Sequence, residues 1–151
     1  MIEIIDYTDE YANDFKTLNE VWLHQYNVME DYDREVINNP KKMILDKGGC
    51  IYLAKAGHQI IGTAGLVDEG DAVYELVKMT VAPEFRGKGV SKLLIEKCLQ
   101  KARKLKAKKI FLYSNSQLQT AIALYKKYGF VHVDASNAPL VTADVKMELI
   151  L

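Results

Sequence analysis

The apolar positions of this 151-residue chain change their period along its length. "IEIIDY" at residues 2–7 has the apolar density of a short strand. Tyr11, Phe15, Leu18, Trp22 and Tyr26 then recur at helical spacing, which predicts an amphipathic helix with an aromatic stripe. Thr8, followed by Asp9 and Glu10, is the expected N-cap, with acids in the first turn where the helix dipole favours them. Residues 29–49, "MEDYDREVINNPKKMILDKGG", are interrupted by Asn38, Asn39 and Pro40 and closed by Gly48 and Gly49, so one or two short helices are expected.

From Cys50 the period shortens. "CIYLAKAGHQIIGTAGLV" (50–67) reads as two β-rich runs about Ala56-Gly57-His58-Gln59, a hairpin signal. "DAVYELVKMTV" (71–81), apolar at positions 73, 77, 79 and 81, predicts the third strand of an antiparallel meander. Strict alternation puts Glu75 on the same pleat face as Val77, Met79 and Val81. After a glycine-rich turn, Val90, Leu93, Leu94, Cys98, Ala102 and Leu105 mark one face of a helix whose other face carries Lys92, Lys101 and Lys104. "KIFLYS" (109–114) is a strand, parallel to the preceding one if the crossover is a right-handed βαβ unit. Leu118, Ala121, Leu124, Tyr125 and Tyr128 give another helix, ended by Gly129, and "FVHVD" and "ADVKMELIL" finish as strands. The order β-α-α-β-β-β-α-β-α-β-β, without repeat or linker, predicts an α/β (α+β) fold in a single domain spanning residues 1–151.

Composition narrows the classes. Hydrophobic residues make up 49% of the chain, enough for a real core, and no apolar stretch is long enough to cross a bilayer. "MIEIIDYTDE" lacks the basic and apolar regions of a signal peptide, so a cytoplasmic protein with no membrane partner is expected. Cys50 and Cys98 form no CxxC pair, and His24, His58 and His132 are scattered, so no metal site is expected. Net charge is zero but unevenly spread: residues 1–35 set ten Asp and Glu against Lys16 and Arg34, whereas residues 86–109 set ten Lys and Arg against Glu96. A neutral protein without a basic surplus elsewhere is a poor duplex binder, so nucleic acid is not an expected partner and a polyanionic small ligand is favoured.

The glycine-rich turn "VAPEFRGKGVS" (81–91) carries the chemistry. It is not a Walker loop, because Lys88 is followed by Gly89 and position 82 is alanine. It is not a dinucleotide fingerprint either, because Lys92 stands where a small residue is needed. What remains is a strand, a turn and a helix start, whose N–H groups at Gly87, Lys88, Gly89, Val90 and Ser91 lack intrahelical partners and suit a pyrophosphate.

"ELVKMTVAPEFRGKGVSKLLIEKCL" resembles the acetyl-coenzyme A motif of the GCN5-related N-acetyltransferase (GNAT) family, Arg/Gln-x-x-Gly-x-Gly/Ala after a strand. Arg86 and Gly89 match, and Ser91 takes the place of the second small residue. A second block, "FLYSNSQLQTAIALYKKYGF", has the family's Leu-Tyr before Gly-Phe; Leu118 stands where many members carry asparagine, and Asn115, three positions earlier, is the candidate amide partner of the cofactor arm. The resemblance implies a mixed, mostly antiparallel central sheet flanked by helices. Its parallel strand pair, 73–81 and 109–113, splays apart to admit the pantetheine arm of acetyl-coenzyme A, with backbone groups near Met79 and Val81 bonding the arm's amides. It implies acetyl transfer to a primary amine of a small molecule or peptide by direct attack on the thioester, with no metal. A non-catalytic acyl-coenzyme A binding module is the alternative, and oligomeric state, a homodimer included, is open.

Such a reaction needs a base for the amine and a hydrogen-bond donor for the departing thiolate. Glu75, an acid inside an apolar strand, is the base candidate; pairing with a cation or anchoring the acceptor is the other reading. Tyr125, at the Leu-Tyr position, is the candidate acid at the cofactor sulfur. Trp22, Tyr26 and Tyr32 with Glu30, Asp31 and Asp33 suit a cationic amine, or else form a core stripe with a solvated loop.

Overall fold

In the computed structural model, which describes residues 1–138 and 141–151, the hairpin about Gly57 joins the second and third strands of a seven-stranded sheet. β2 (Cys50–Ala56) and β3 (Gln59–Asp68) pair antiparallel, β1 (Ile2–Asp6) lies outside β2, and β4 (Val73–Val81) lies on the other side of β3. β5 (Lys109–Ser114) follows β4 in parallel, and β7 (Val145–Ile150) and β6 (Val131–Val133) complete the order β1-β2-β3-β4-β5-β7-β6. Every other neighbouring pair in this mixed sheet is antiparallel.

Both faces of the inner strands are covered, which is why β2 and β3 read as near-continuous apolar runs instead of alternating. On one face α4 (Val90–Lys104) buries Leu94, Ile95, Cys98 and Ala102 against Leu66, Leu76, Ile110 and Met147. On the other, α1 (Ala12–Gln25), α2 (Asp31–Asn38) and α3 (Pro40–Met43) bury Phe15, Val36, Ile37 and Met43 against Ile51, Leu53 and Val67. No helix among the described residues is long and apolar enough to cross a membrane.

Two expectations change in detail. A 3-10 turn at Asp9–Tyr11 precedes α1, and the Thr8 hydroxyl bonds the Glu10 carboxylate at 3.2 Å instead of capping a helix amide. The buried stripe of α1 is Phe15, Asn19 and Leu23, leaving Trp22 and Tyr26 half-buried beside a cavity.

The third change decides where the chemistry sits. Alternation along β4 breaks at Lys78, whose φ is +52°. Thr63 pairs with Thr80 but Gly65 pairs with Val77, so β4 holds one extra residue there, a β-bulge. Glu75 and Val77 therefore face α1 and α2, whereas Met79 and Val81 pack on the α4 side. The shared face expected for Glu75, Met79 and Val81 is corrected: a one-residue insertion flips every side chain beyond it.

Candidate active site

β4 and β5 pair only through Val73–Lys109, Tyr74–Ile110 and Glu75–Phe111. Beyond Glu75 the strands separate, and residues 76–81 keep β3 on one edge while the other edge faces an open gap. A cavity of about 960 Å³ fills that gap. Glu75, Met79, Val81, Arg86, Gly87, Gly89, Val90, Ser91, Asn115 and Tyr125 all line it. Lys88 does not; its ammonium lies 5.2 Å from the centre of the Phe85 ring.

At one end sits the glycine turn. Gly87 and Gly89 have φ of +78° and +81°, and a Cβ on either would meet nothing within 4 Å. The requirement for glycine there is conformational, not spatial. Gly89 is the N-cap of α4, and the first amide to find a helical acceptor is that of Leu93, bonded to the Gly89 carbonyl at 3.3 Å. Among the described residues, the amides of 87–92 have no backbone acceptor. Arg86 anchors this turn, donating through Nε to the Val81 carbonyl at 3.3 Å and through Nη2 to the Gln25 side chain at 3.1 Å.

α5 (Gln119–Lys127) carries Tyr125 into the opposite wall. Gly129, φ +97°, follows the C-cap Tyr128; its amide bonds the Lys126 carbonyl at 3.0 Å and that of Phe130 bonds the Tyr125 carbonyl at 3.1 Å, a complete Schellman motif. Burial pushes the Tyr125 phenol well above its ordinary value, with Cys98 adding to the effect. Leu118 is buried at the N-cap of α5. Asn115 is engaged at both ends of its amide, donating to the Thr142 carbonyl at 2.6 Å and accepting from the Gln117 amide at 3.0 Å.

Glu75 stands at the vertex where the strands part, with no ion-pair partner among the described residues. Burial, reinforced by Glu69, raises its carboxyl from 4.5 to about 7, against the opposing pull of Lys78 and Lys146. Tyr32 from α2 and Phe111 and Tyr113 from β5 line the same chamber.

The acids at 30–33 are all committed elsewhere. The Glu30 carboxylate accepts from the amides of Val141 and Thr142 at 3.2 and 2.9 Å and from the Thr142 hydroxyl at 2.6 Å. Asp31 pairs with Arg34 at 2.7 Å on the surface, and Asp33 pairs with Lys78 at 2.5 Å while accepting the Glu30 amide at 3.0 Å. This stretch begins a helix; it is not a loop presenting free acids. Phe111, Tyr113 and Lys78 escaped the sequence reading. A signal for Lys78 existed, since a second charge inside "ELVKMTV" is as anomalous as Glu75.

Known proteins share this fold and parts of this sequence. The sequence profile of the Acetyltransferase (GNAT) family matches residues 7–130. N-acetyltransferase 8 of Rattus norvegicus is 30% identical over 115 residues, covering 73% of this chain and 52% of that protein. The uncharacterized N-acetyltransferase YjgM of Escherichia coli (strain K12) is 38% identical over 91 residues, covering 58% and 54%. The chain thus spans about half the length of these curated relatives. An acetyltransferase of the GNAT family from Staphylococcus aureus Mu50 superposes with a TM-score of 0.91 at 22% identity, over 100% of this chain and 99% of that one. The PaiA N-acetyltransferase from Thermoplasma acidophilum, solved in complex with coenzyme A, superposes at 0.80, also at 22% identity, over 100% and 99%.

Proposed function

The chain belongs to the GNAT acetyltransferase family, and from that premise we propose that it transfers an acetyl group from acetyl-coenzyme A to a primary amine of a small molecule or peptide. The observation that carries the reading is the parting of β4 from β5 after Glu75, which leaves a free strand edge between the unpaired amides of the glycine turn and an unpaired carboxylate.

The described residues fit coenzyme A. The turn amides of Gly87 and of 89–92, at the positive end of the α4 dipole, suit its pyrophosphate, with Arg86 beside them. The open edge of β4 through Met79 and Val81 offers backbone groups to the amides of an extended arm, as an added strand would. Acetyl-coenzyme A supplies the thioester carbonyl under attack and the thiolate that departs.

Glu75 takes the proton of the attacking amine, directly or through one water, as the C–N bond forms and the C–S bond breaks. A carboxyl near 7 is matched to this task at neutral pH. Tyr125, kept neutral by burial, gives its O–H proton to the departing sulfur and is reprotonated through solvent as Glu75 gives up the proton it took, so amide and thiol are the products and both side chains return to their starting states. The amine approaches from the side of Tyr32, Glu69 and Tyr113, where aromatic rings and acid suit a cation.

The test is mass-spectrometric detection of acetylated product after incubation of the full chain with acetyl-coenzyme A and a panel of diamines, amino acids and short peptides. Product formation lost in Glu75→Gln supports the reading. Tight coenzyme A binding with no product from any amine would favour a binding module.

A further inference from the structure

Lys78 is, among the described residues, the one non-glycine residue within a strand whose φ is positive. A left-handed lysine is sterically disfavoured and persists only where its surroundings over-determine it. Three elements do so here. The Thr63 hydroxyl of β3 donates to the Lys78 carbonyl at 2.6 Å, Asn19 of α1 donates to the Thr63 hydroxyl at 3.3 Å, and the Lys78 ammonium meets the Asp33 carboxylate of α2 at 2.5 Å. The paired side chains are only 12% and 3% exposed.

Enclosed ion pairs are weak stabilisers because both charges lose their water, so this one asks for another reason to exist. The bulge supplies it. In an uninterrupted strand, residues 75 and 78 would point to opposite faces. Here Lys78 turns to the chamber that holds Glu75. The charged and titratable groups facing Glu75 are Lys78 on its own strand, Glu69 from the β3–β4 turn, Lys146 from β7, Tyr113 from β5, and Tyr32 from α2; Asp33 of α2 lines the same chamber and is held by Lys78. A lysine there without a counterion would take Glu75 as partner and turn a proton acceptor into half of an ion pair.

We propose that Asp33 is a positioning residue of the acyl-transfer site, holding Lys78 in its bulge and off Glu75 so that the Glu75 carboxylate stays without a cation partner. The inference rests on the reading of Glu75 as the base. Asp33 touches neither amine nor thioester; it acts through Lys78, and this is why an acid at the start of α2 is enclosed instead of facing water.

The experiment is a carbon-13 NMR titration of the full chain labelled at glutamate carboxyls, with the Glu75 signal identified by its loss in Glu75→Gln. In Asp33→Asn the freed ammonium should lower the Glu75 midpoint by about one pH unit. The double variant Asp33→Asn/Lys78→Met has no cation to release, so its midpoint should lie above the parent's. Asp33→Glu, which can keep the pair, should restore a midpoint near the parental one. A merely structural role for Asp33 would change stability and leave the Asp33→Asn midpoint at the parental value, whereas the rise in the double variant follows from removing Lys78 alone and is the control that Lys78 acts on Glu75. An unshifted or raised midpoint in Asp33→Asn, or no rise in the double variant, overturns the proposal. If Asp33→Asn fails to fold by near-ultraviolet circular dichroism, Asp33→Ser, which keeps an acceptor for the Glu30 amide, takes its place. Full acetyl transfer by Glu75→Gln would instead sink the base reading while leaving the midpoint shifts standing.

Discussion

Phe130 donates its backbone N–H to the Tyr125 carbonyl at 3.1 Å and lays its ring 5.9 Å from the Tyr125 ring, tilted by 59°. The same six-residue stretch that ends α5 therefore also fixes the azimuth of the phenol facing the cavity. The Gly-Phe of the second sequence block is thus a helix stop and a ring support for the Tyr of its Leu-Tyr.

Tyr125→Phe keeps that ring contact and removes only the hydroxyl. Steady-state assays should show kcat reduced ~10²- to 10⁴-fold, the usual range for a lost general acid, with the calorimetric Kd for coenzyme A within about threefold of the parent. A full parental rate would make Tyr125 a wall of the channel and nothing more.

Gly129→Ala puts a Cβ at φ +97°, 3.2 Å from a Leu149 methyl. Chemical denaturation should show a loss of about 1–2 kcal/mol. Because the strain falls at the motif that aims Tyr125, kcat should drop more than KM changes.

Glu75 supplies a stability test that needs no substrate. Its carboxyl is raised from 4.5 to about 7, so the folded chain holds the proton more tightly than the unfolded chain does. That contribution is fully present below about 4.5 and is lost as the pH rises through 7. Ionising the group costs up to about 3 kcal/mol, from 1.36 kcal/mol per pH unit. Glu75→Gln has no such proton to lose. Its stability relative to the parent should rise between pH 4 and pH 8 in urea titrations, and a constant difference would contradict the raised value.

For the turn, Gly89→Ala forces a Cβ into a left-handed position where space is free but the backbone is not. Coenzyme A affinity should fall at least tenfold by calorimetry, whereas Ser91→Ala, at a right-handed helical position, should stay within about threefold. Arg86→Glu, which sets an anion beside the proposed pyrophosphate site, should also lose more than tenfold, because one charge-assisted bond is worth ~1.5–3 kcal/mol.

Much of this site was legible because its signals are local. Gly87 and Gly89 before a helical period mark the turn, Gly129 marks the end of α5, and an acid in an apolar strand marks Glu75. The expected succession of strands along the chain needed no correction, and α3 is one helix more than the expected element order held. What could not be read depends on distant partners. Asp33 and Lys78 are 45 residues apart, and the hydroxyl and amide that steady the Lys78 backbone come from β3 and α1. A parity argument assumes unbroken pleating, and the bulge at Lys78 breaks it with no glycine or proline to give warning. The acids at Glu30 and Asp33 looked available for an amine because nothing local reveals that Thr142 and Lys78 already hold them.

The three residue pairs that join β4 to β5 also have a mechanical meaning. Among the described residues they form, with the Lys108 amide bonded to the Ala72 carbonyl at 2.9 Å, the backbone seam between a four-stranded panel, β1 to β4, and a three-stranded panel, β5, β7 and β6. A guest lying along the free edge of β4 would lengthen that seam, so binding would act as a stitch as well as a recognition event. Amide deuterium uptake along 76–81 and in β5 should then slow when coenzyme A is present, while the outer pair β1 and β2, far from the seam, exchanges as before.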